Sequence, residues 1–186
     1  MIVAFWVLFA AWVLGEVWMQ WRRRLPAGAA DGDRGSMVFL VGMVWGGVVI
    51  GFAAALLLPG AAISSGAGAL FVAGLALMLA GLVLRWYAIA VLGPAFTVTV
   101  GTREEQRVVA RGPYRWVRHP SYAGSLLTIL GVLLCDTNAV ALLGFALPLA
   151  GYAYRIRVEE RALVQGLGDE YRRYMGRTRR LIPFVL

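Results

Sequence analysis

Residues 1–21 read MIVAFWVLFAAWVLGEVWMQW, about the ~20 residues needed to cross a bilayer core. Two further apolar runs of similar length follow, 37–58 and about Ala69 to Leu92. A chain with three such runs has little choice of fold. In hydrocarbon the backbone must satisfy its own hydrogen bonds, and only helices or closed barrels do so. Composition agrees: 60% of the residues are hydrophobic and 15% charged, against ~45–50% and ~25% in soluble domains. Disorder and collagen-like repeats are excluded by the same figures. The single cysteine, Cys135, allows no internal disulfide, and no Cys/His cluster suggests a metal. An all-α integral membrane protein is expected.

The net charge of +8 raises the question of nucleic acid, and the placement of the charge answers it. All 18 basic residues are arginine, grouped at Arg22 to Arg34, Arg85, Arg103 to Arg118 and Arg155 to Arg180. Each group abuts the end of an apolar stretch, which is the pattern of topology determinants and not of a nucleic-acid face. The first run has no positive charge before it and three arginines after it, so it reads as a retained helix with its N-terminus outside. The connection 59–68 is uncharged, as a short outside loop would be. After Pro120 come two apolar runs of about fifteen residues, to Leu134 and from Ala139 to Ala153, separated by Cys135-Asp136-Thr137-Asn138. They are short for independent spans and predict a helical hairpin, the fourth and fifth spans.

About five membrane helices result, with the arginines and the C-terminus cytoplasmic and Asp136 outside. The C-terminal segment is expected to be helical to about Gly166 and again from Asp169 to Met175. No repeat and no linker divides the chain, so 1–186 reads as one domain. Within it, 1–68 holds two spans and their loops, and 69–186 the chemistry-bearing core.

Reactive groups concentrate in two segments. In Gly112-Pro113-Tyr114-Arg115-Trp116-Val117-Arg118-His119-Pro120-Ser121-Tyr122, Pro120 suits the first turn of a helix. The backbone N–H groups of such a turn, with the Ser121 and Tyr122 hydroxyls, suit an anion. A Pro-initiated helix with interfacial aromatics would look the same. In the second segment Tyr152, Arg155 and Glu159 are spaced i, i+3, i+7 and share a helix face. An exposed Arg155–Glu159 pair would contribute only ~0.3–0.5 kcal/mol. Here the face continues directly from an apolar helix, where charges tend to be functional. Glu16, inside the first run, lines an entrance, pairs with Arg85 or snorkels to the interface. Phosphate loops, His-Glu-x-x-His and Gly-x-Ser-x-Gly are absent, and Gly166-Leu167-Gly168 is no dinucleotide turn.

Gly112-Pro113-Tyr114, Arg118-His119-Pro120-Ser121-Tyr122-x-Gly124, Glu159-Glu160-x-x-Leu163 and Gly168-x-Glu170-Tyr171-x-x-Tyr174, with Pro183 closing, resemble the isoprenylcysteine carboxyl methyltransferase family over roughly residues 85–184. The resemblance implies a small membrane enzyme using S-adenosylmethionine, held in a pocket between the cytoplasmic helix ends and the C-terminal helical segment, with S-adenosylhomocysteine as product and no metal. It implies that Tyr114, His119, Pro120, Ser121 and Tyr122 hold the methionine and ribose parts of the cofactor, with Glu159 at its ammonium. Gln106, Arg107, Val108 and Val109 stand where the family frames the adenine. Arg155 stands at the position that orients the acceptor carboxylate. The implied partner is a lipophilic or lipidated acceptor and the surrounding membrane lipid, with neither nucleic acid nor an obligate protein partner.

Three rivals remain. Membrane sterol reductases carry a similar Arg-His-Pro-x-Tyr stretch and bind NADPH, though they are usually about twice as long. A phospholipid or other amine N-methyltransferase would favour a carboxylate over Arg155 near the methyl. A non-catalytic adaptor would make the ordered motifs coincidental.

Overall fold

The computed structural model describes residues 1–22, 35–93 and 108–182. Among them lie six α-helices: α1 Ile2–Arg22, α2 Ser36–Leu57, α3 Ala67–Leu92, α4 Pro120–Cys135, α5 Ala146–Leu167 and α6 Asp169–Arg177. Short 3-10 turns cover Pro59–Ala61, Gly112–Arg115 and Ala141–Phe145. No strand occurs among the described residues, only two isolated bridges. By length and composition α1, α2 and α3 can each cross a membrane, whereas α4 is apolar but shorter. Sequence chemistry sets the ends. Pro59 follows α2 and cannot continue it, and Pro120 opens α4, where the missing N–H costs nothing. Gly168, at φ 56°, divides α5 from α6 in a conformation that side chains disfavour.

The two apolar runs after Pro120 are helical on either side of a turn, but the second packs mainly against α2 and differs from the expectation at its start. Residues 141–145 wind as a 3-10 turn, and a regular helix begins only at Ala146. That helix then runs unbroken to Leu167, so the apolar run and the charged segment beyond it are one rod. Asn138 holds the turn. Its amide donates to the Ala54 and Leu58 carbonyls at 3.2 and 3.0 Å, and its oxygen accepts from the Val140 and Ala141 N–H groups. The turn is thereby pinned to the end of α2.

The tightest packing is between α3 and α4, where four glycines alternate. A Cβ on Gly74 would stand 2.7 Å from the Gly131 carbonyl oxygen, and one on Gly81 only 2.5 Å from that of Gly124. In return, a Cβ on Gly131 would lie 2.5 Å from the Gly74 oxygen, and one on Gly124 2.7 Å from that of Gly81. Backbones this close leave no room for a methyl group. In a membrane, where lipid tails are as apolar as leucine, such small-residue contact is what drives helices together. Gly47 and Gly144 make a shorter seam of the same kind between α2 and the 3-10 turn before α5.

At the arginine-rich end, residues 178–180 lie alongside 116–119. Arg179 N–H donates to the Trp116 carbonyl, and the Arg118 and His119 N–H groups donate to the Arg179 and Arg180 carbonyls at 2.7 and 3.0 Å. This strap fixes the chain entering α4.

Candidate functional site

His119 is the N-cap residue of α4. With its backbone held by the strap, its ring is placed against α5. Glu160 of α5 collects the cations there: Arg118 Nε at 2.8 Å, His119 Nε2 at 3.4 Å and Arg180 Nη2 at 3.1 Å. Burial works to raise the Glu160 carboxyl, but the hydrogen bonds from His119, Arg118 and Arg180 outweigh it and hold the group down at about 2. Arg118 also donates to the carbonyls of Met175 and Thr178. Glu160 is therefore an internal tie between the α4 entrance, α5 and the strap.

One turn away on the same face, Tyr122 is the meeting point. Its hydroxyl donates to Glu159 Oε2 at 2.5 Å and accepts from Arg155 Nε at 3.4 Å. Its ring lies parallel to that of His119, 5.4 Å between centroids, and 5.2 Å from that of Tyr152. The shared face of Tyr152, Arg155 and Glu159 thus points at one tyrosine. Arg155 is buried and also donates to Ser36 Oγ at 2.6 Å, binding the start of α2 to the site.

A second guanidinium stands nearby. Arg85 of α3 pairs with Glu16 of α1 through Nε–Oε1 and Nη2–Oε2, each 2.6 Å, and donates to the Ser121 carbonyl at 3.2 Å. Arg85 belongs to the interior, at 7% exposure, and is not the topology determinant at the membrane surface expected of the arginine groups. A cation in hydrocarbon needs a counter-charge, and Glu16 supplies it. Of the roles open to Glu16, the structure shows the pair with Arg85.

Between these groups lies a cavity of about 70 Å³. One wall is Trp12, Val13 and Met19 of α1; the other is Met37, Leu40, Val41, Val44 and Trp45 of α2. Glu16, Arg85, Tyr122, Tyr152 and Arg155 form its polar end. The arrangement offers an apolar slot closed by guanidinium and phenol groups, which is a place for an anionic head on a greasy tail.

The other expected residues fall in three places. Tyr114, buried in the 3-10 turn Gly112–Arg115, has its hydroxyl pushed up by burial first and by the Glu159 charge next, with a side-chain hydrogen bond to Ser121 opposing. Its carbonyl accepts from Tyr174 OH at 2.7 Å. Pro120 and Ser121 are buried in the first turn of α4. Val108 lies apart, its N–H donating to Glu170 at 3.1 Å beside a groove of about 290 Å³ that Ala110, Tyr174 and Thr178 also line. Val109 is half-buried next to it. Gln106 and Arg107 lie outside the described residues. Ser36, Arg85 and Glu160 join the site without having been singled out for it. Glu160 adjoins Glu159 in the motif, but no spacing rule ties Ser36 to residues more than eighty positions away.

The model of the isoprenylcysteine carboxyl methyltransferase family matches residues 74–165. Protein-S-isoprenylcysteine O-methyltransferase B of Arabidopsis thaliana is 37% identical over 115 residues, 60% of this chain and 58% of that protein. The Saccharomyces cerevisiae protein-S-isoprenylcysteine O-methyltransferase is 34% identical over 117 residues, 61% of this chain and 49% of that one. A solved structure, of a eukaryotic intramembrane Ras methyltransferase of the same name as the family, superposes with a TM-score of 0.58 at 28% identity. It covers 80% of this chain and 52% of the other. The chain spans somewhat more than half the length of the Arabidopsis relative. Over residues 74–165, just under half of its length, the chain is thus similar to the isoprenylcysteine carboxyl methyltransferase family.

Proposed function

We propose, on that similarity, that the chain is an S-adenosylmethionine-dependent methyltransferase of the membrane that esterifies the carboxylate of a lipophilic, isoprenylcysteine-like acceptor. The observation that carries the reading is the cavity whose apolar walls come from α1 and α2 and whose polar end holds Arg155 and Tyr122. A tail lies between the two helices, continuous with the bilayer, and the head meets the guanidinium. Five spans, with the arginine-rich end and the site on the cytoplasmic side and the N-terminus outside, belong to the same proposal, as does a single domain over 1–186.

A carboxylate is already ionised at neutral pH, so no general base is required. What the protein must supply is alignment and exclusion of water. Arg155 orients the carboxylate, and its bond to Ser36 fixes the guanidinium plane. Tyr122, stacked on His119 and bonded to Glu159, divides this head-group site from the cofactor side. S-adenosylmethionine supplies an activated methyl group on a sulfonium cation. The donor set fits such a molecule: Glu159, 28% exposed at its side chain and within 3.9 Å of His119 Nδ1, is a carboxylate placed to meet a cationic ligand. Tyr114, His119, Pro120, Ser121 and Tyr122 would enclose its methionine and ribose parts. Gln106, Arg107, Val108 and Val109 would frame the adenine.

The test is a titration of detergent-purified protein with S-adenosylhomocysteine and, separately, NADPH, followed by transfer of labelled methyl to lipophilic carboxylates and amines. Saturable S-adenosylhomocysteine binding with carboxylate methylation is expected. NADPH binding alone would move the protein to the reductases. Labelled amines in place of esters would make it an N-methyltransferase.

A further inference from the structure

The polar end of the cavity contains one carboxylate that methyl transfer does not need. Glu16 lies in α1, outside the family-matched segment, and is the one charged residue before Arg22. Its two oxygens face Arg85 at 2.6 Å each, while Arg85 Nη1 goes to the Ser121 carbonyl. Glu16, Arg85 and Arg155 all line the same cavity. The carboxylate is partly accessible, at 24% side-chain exposure, against 9% for its partner.

A slot open to lipid with two guanidiniums at its end would bind phosphate. Guanidinium and phosphate match bidentately, and the head of a phosphate monoester carries close to two negative charges near neutral pH. Specificity then requires a feature that works against that wrong ligand. We propose that Glu16 is a specificity-determining residue that keeps phosphomonoester-headed amphiphiles out of the acceptor cavity. It occupies Arg85 and sets a fixed negative charge beside the head-group site. A singly charged carboxylate held by Arg155 tolerates that neighbour better than a dianionic head. The inference rests on the cavity being the acceptor site, as proposed above.

The experiment is calorimetric titration of the full chain, in a phosphate-free maltoside detergent at pH 8, with octyl phosphate and with octanoate. The folded state of each variant is checked by its thermal unfolding midpoint. Glu16→Gln releases Arg85 and is expected to tighten octyl phosphate by about tenfold or more, the scale of a charge-assisted hydrogen bond, with octanoate changing by less than about threefold. Adding Arg85→Gln to it should cancel the gain. Should Glu16→Gln fail to fold, Glu16→Asp keeps the charge but shortens its reach, and a smaller gain for octyl phosphate is expected. An unchanged phosphate affinity in a folded variant, or a parallel change for both probes, overturns the proposal. Because binding is read without turnover, a phosphate-selective gain in a protein that methylates nothing would sink the enzymatic reading alone.

Discussion

Helices α1 and α4 are both apolar, yet they are built for opposite tasks. Along α1 the buried hydrophobic side chains are Phe5, Trp12 and Met19, seven residues apart, so one stripe touches the protein. Val3, Leu14 and Trp21 are 71%, 67% and 76% exposed. In α4 burial extends round most of the helix, from Ser121 and Gly124 through Thr128, Ile129 and Gly131 to Cys135. The difference lies in residue size and not in hydrophobicity. Small residues bring α4 into backbone contact with α3, whereas the large side chains of α1 hold it off and leave room for the cavity. In a lipid solvent a greasy surface says nothing about which side is inward, whereas glycine does. The α3–α4 pair is the frame that holds Arg85, Ser121 and Tyr122, and α1 is a wall set against it.

The sharpest way to break this contrast is Gly131→Leu. Its side chain would begin 2.5 Å from the Gly74 oxygen, and backbone cannot yield as a flexible side chain can. A loss of at least ~3 kcal/mol is expected, read as failure to recover monodisperse protein. A variant that melts like the wild type would refute the tight seam. Next in size is Arg155→Ala, which should lower methyl transfer by about a hundredfold or more through lost orientation of the acceptor. Binding of S-adenosylhomocysteine should stay close to wild type; equal loss of both would remove Arg155 from its acceptor role.

Glu160→Gln tests the tie at the end of the frame. Because the folded carboxyl sits near 2 and its ordinary value is 4.5, its contribution is present above pH 4.5 and fades as pH falls toward 2. The variant should therefore melt below the wild type at neutral pH, with the gap closing on acidification. A gap constant with pH would exclude the charge as its source. Smallest of all, Leu14→Ala on the exposed face of α1 should change stability by less than ~0.5 kcal/mol, measured by denaturation in a mild detergent. A large effect would mean that α1 is gripped like α4.

Much of this was legible from the chain because membrane helices advertise themselves by length and by the absence of charge. Helices α1, α2 and α3 begin and end within two residues of the apolar runs. Local periodicity also served well where partners share one helix: Tyr152, Arg155 and Glu159 do converge on Tyr122, the last two at its hydroxyl and the first at its ring. Contacts between distant segments were harder. Ser36 bonds Arg155 across 119 positions, and a serine opening a helix looks like any other. Arg85 beside Trp86 and Tyr87 imitates an interface anchor, because composition cannot tell a residue facing headgroups from one facing a buried glutamate. The 3-10 start of the second apolar run after Pro120 left no trace in hydropathy, since both helix types accept the same residues. Gly74 and Gly81, like Gly124 and Gly131, are spaced by seven, and that spacing was the available sign of the seam.

The same seam restricts how the chain can change length. Gly81 and Arg85 are one helical turn apart on α3, and a Cβ on Gly124 would touch the Arg85 backbone nitrogen at 2.7 Å. Inserting one residue between them would swing Arg85 round the helix by about 100° and carry it away from Glu16 and the cavity. A deletion in α4 between Gly124 and Gly131 would likewise turn one glycine out of the seam and a bulky neighbour in. Insertions and deletions among descendants of this sequence should therefore gather in the connection 59–66, while the interiors of α3 and α4 keep their residue count even where their residues are replaced.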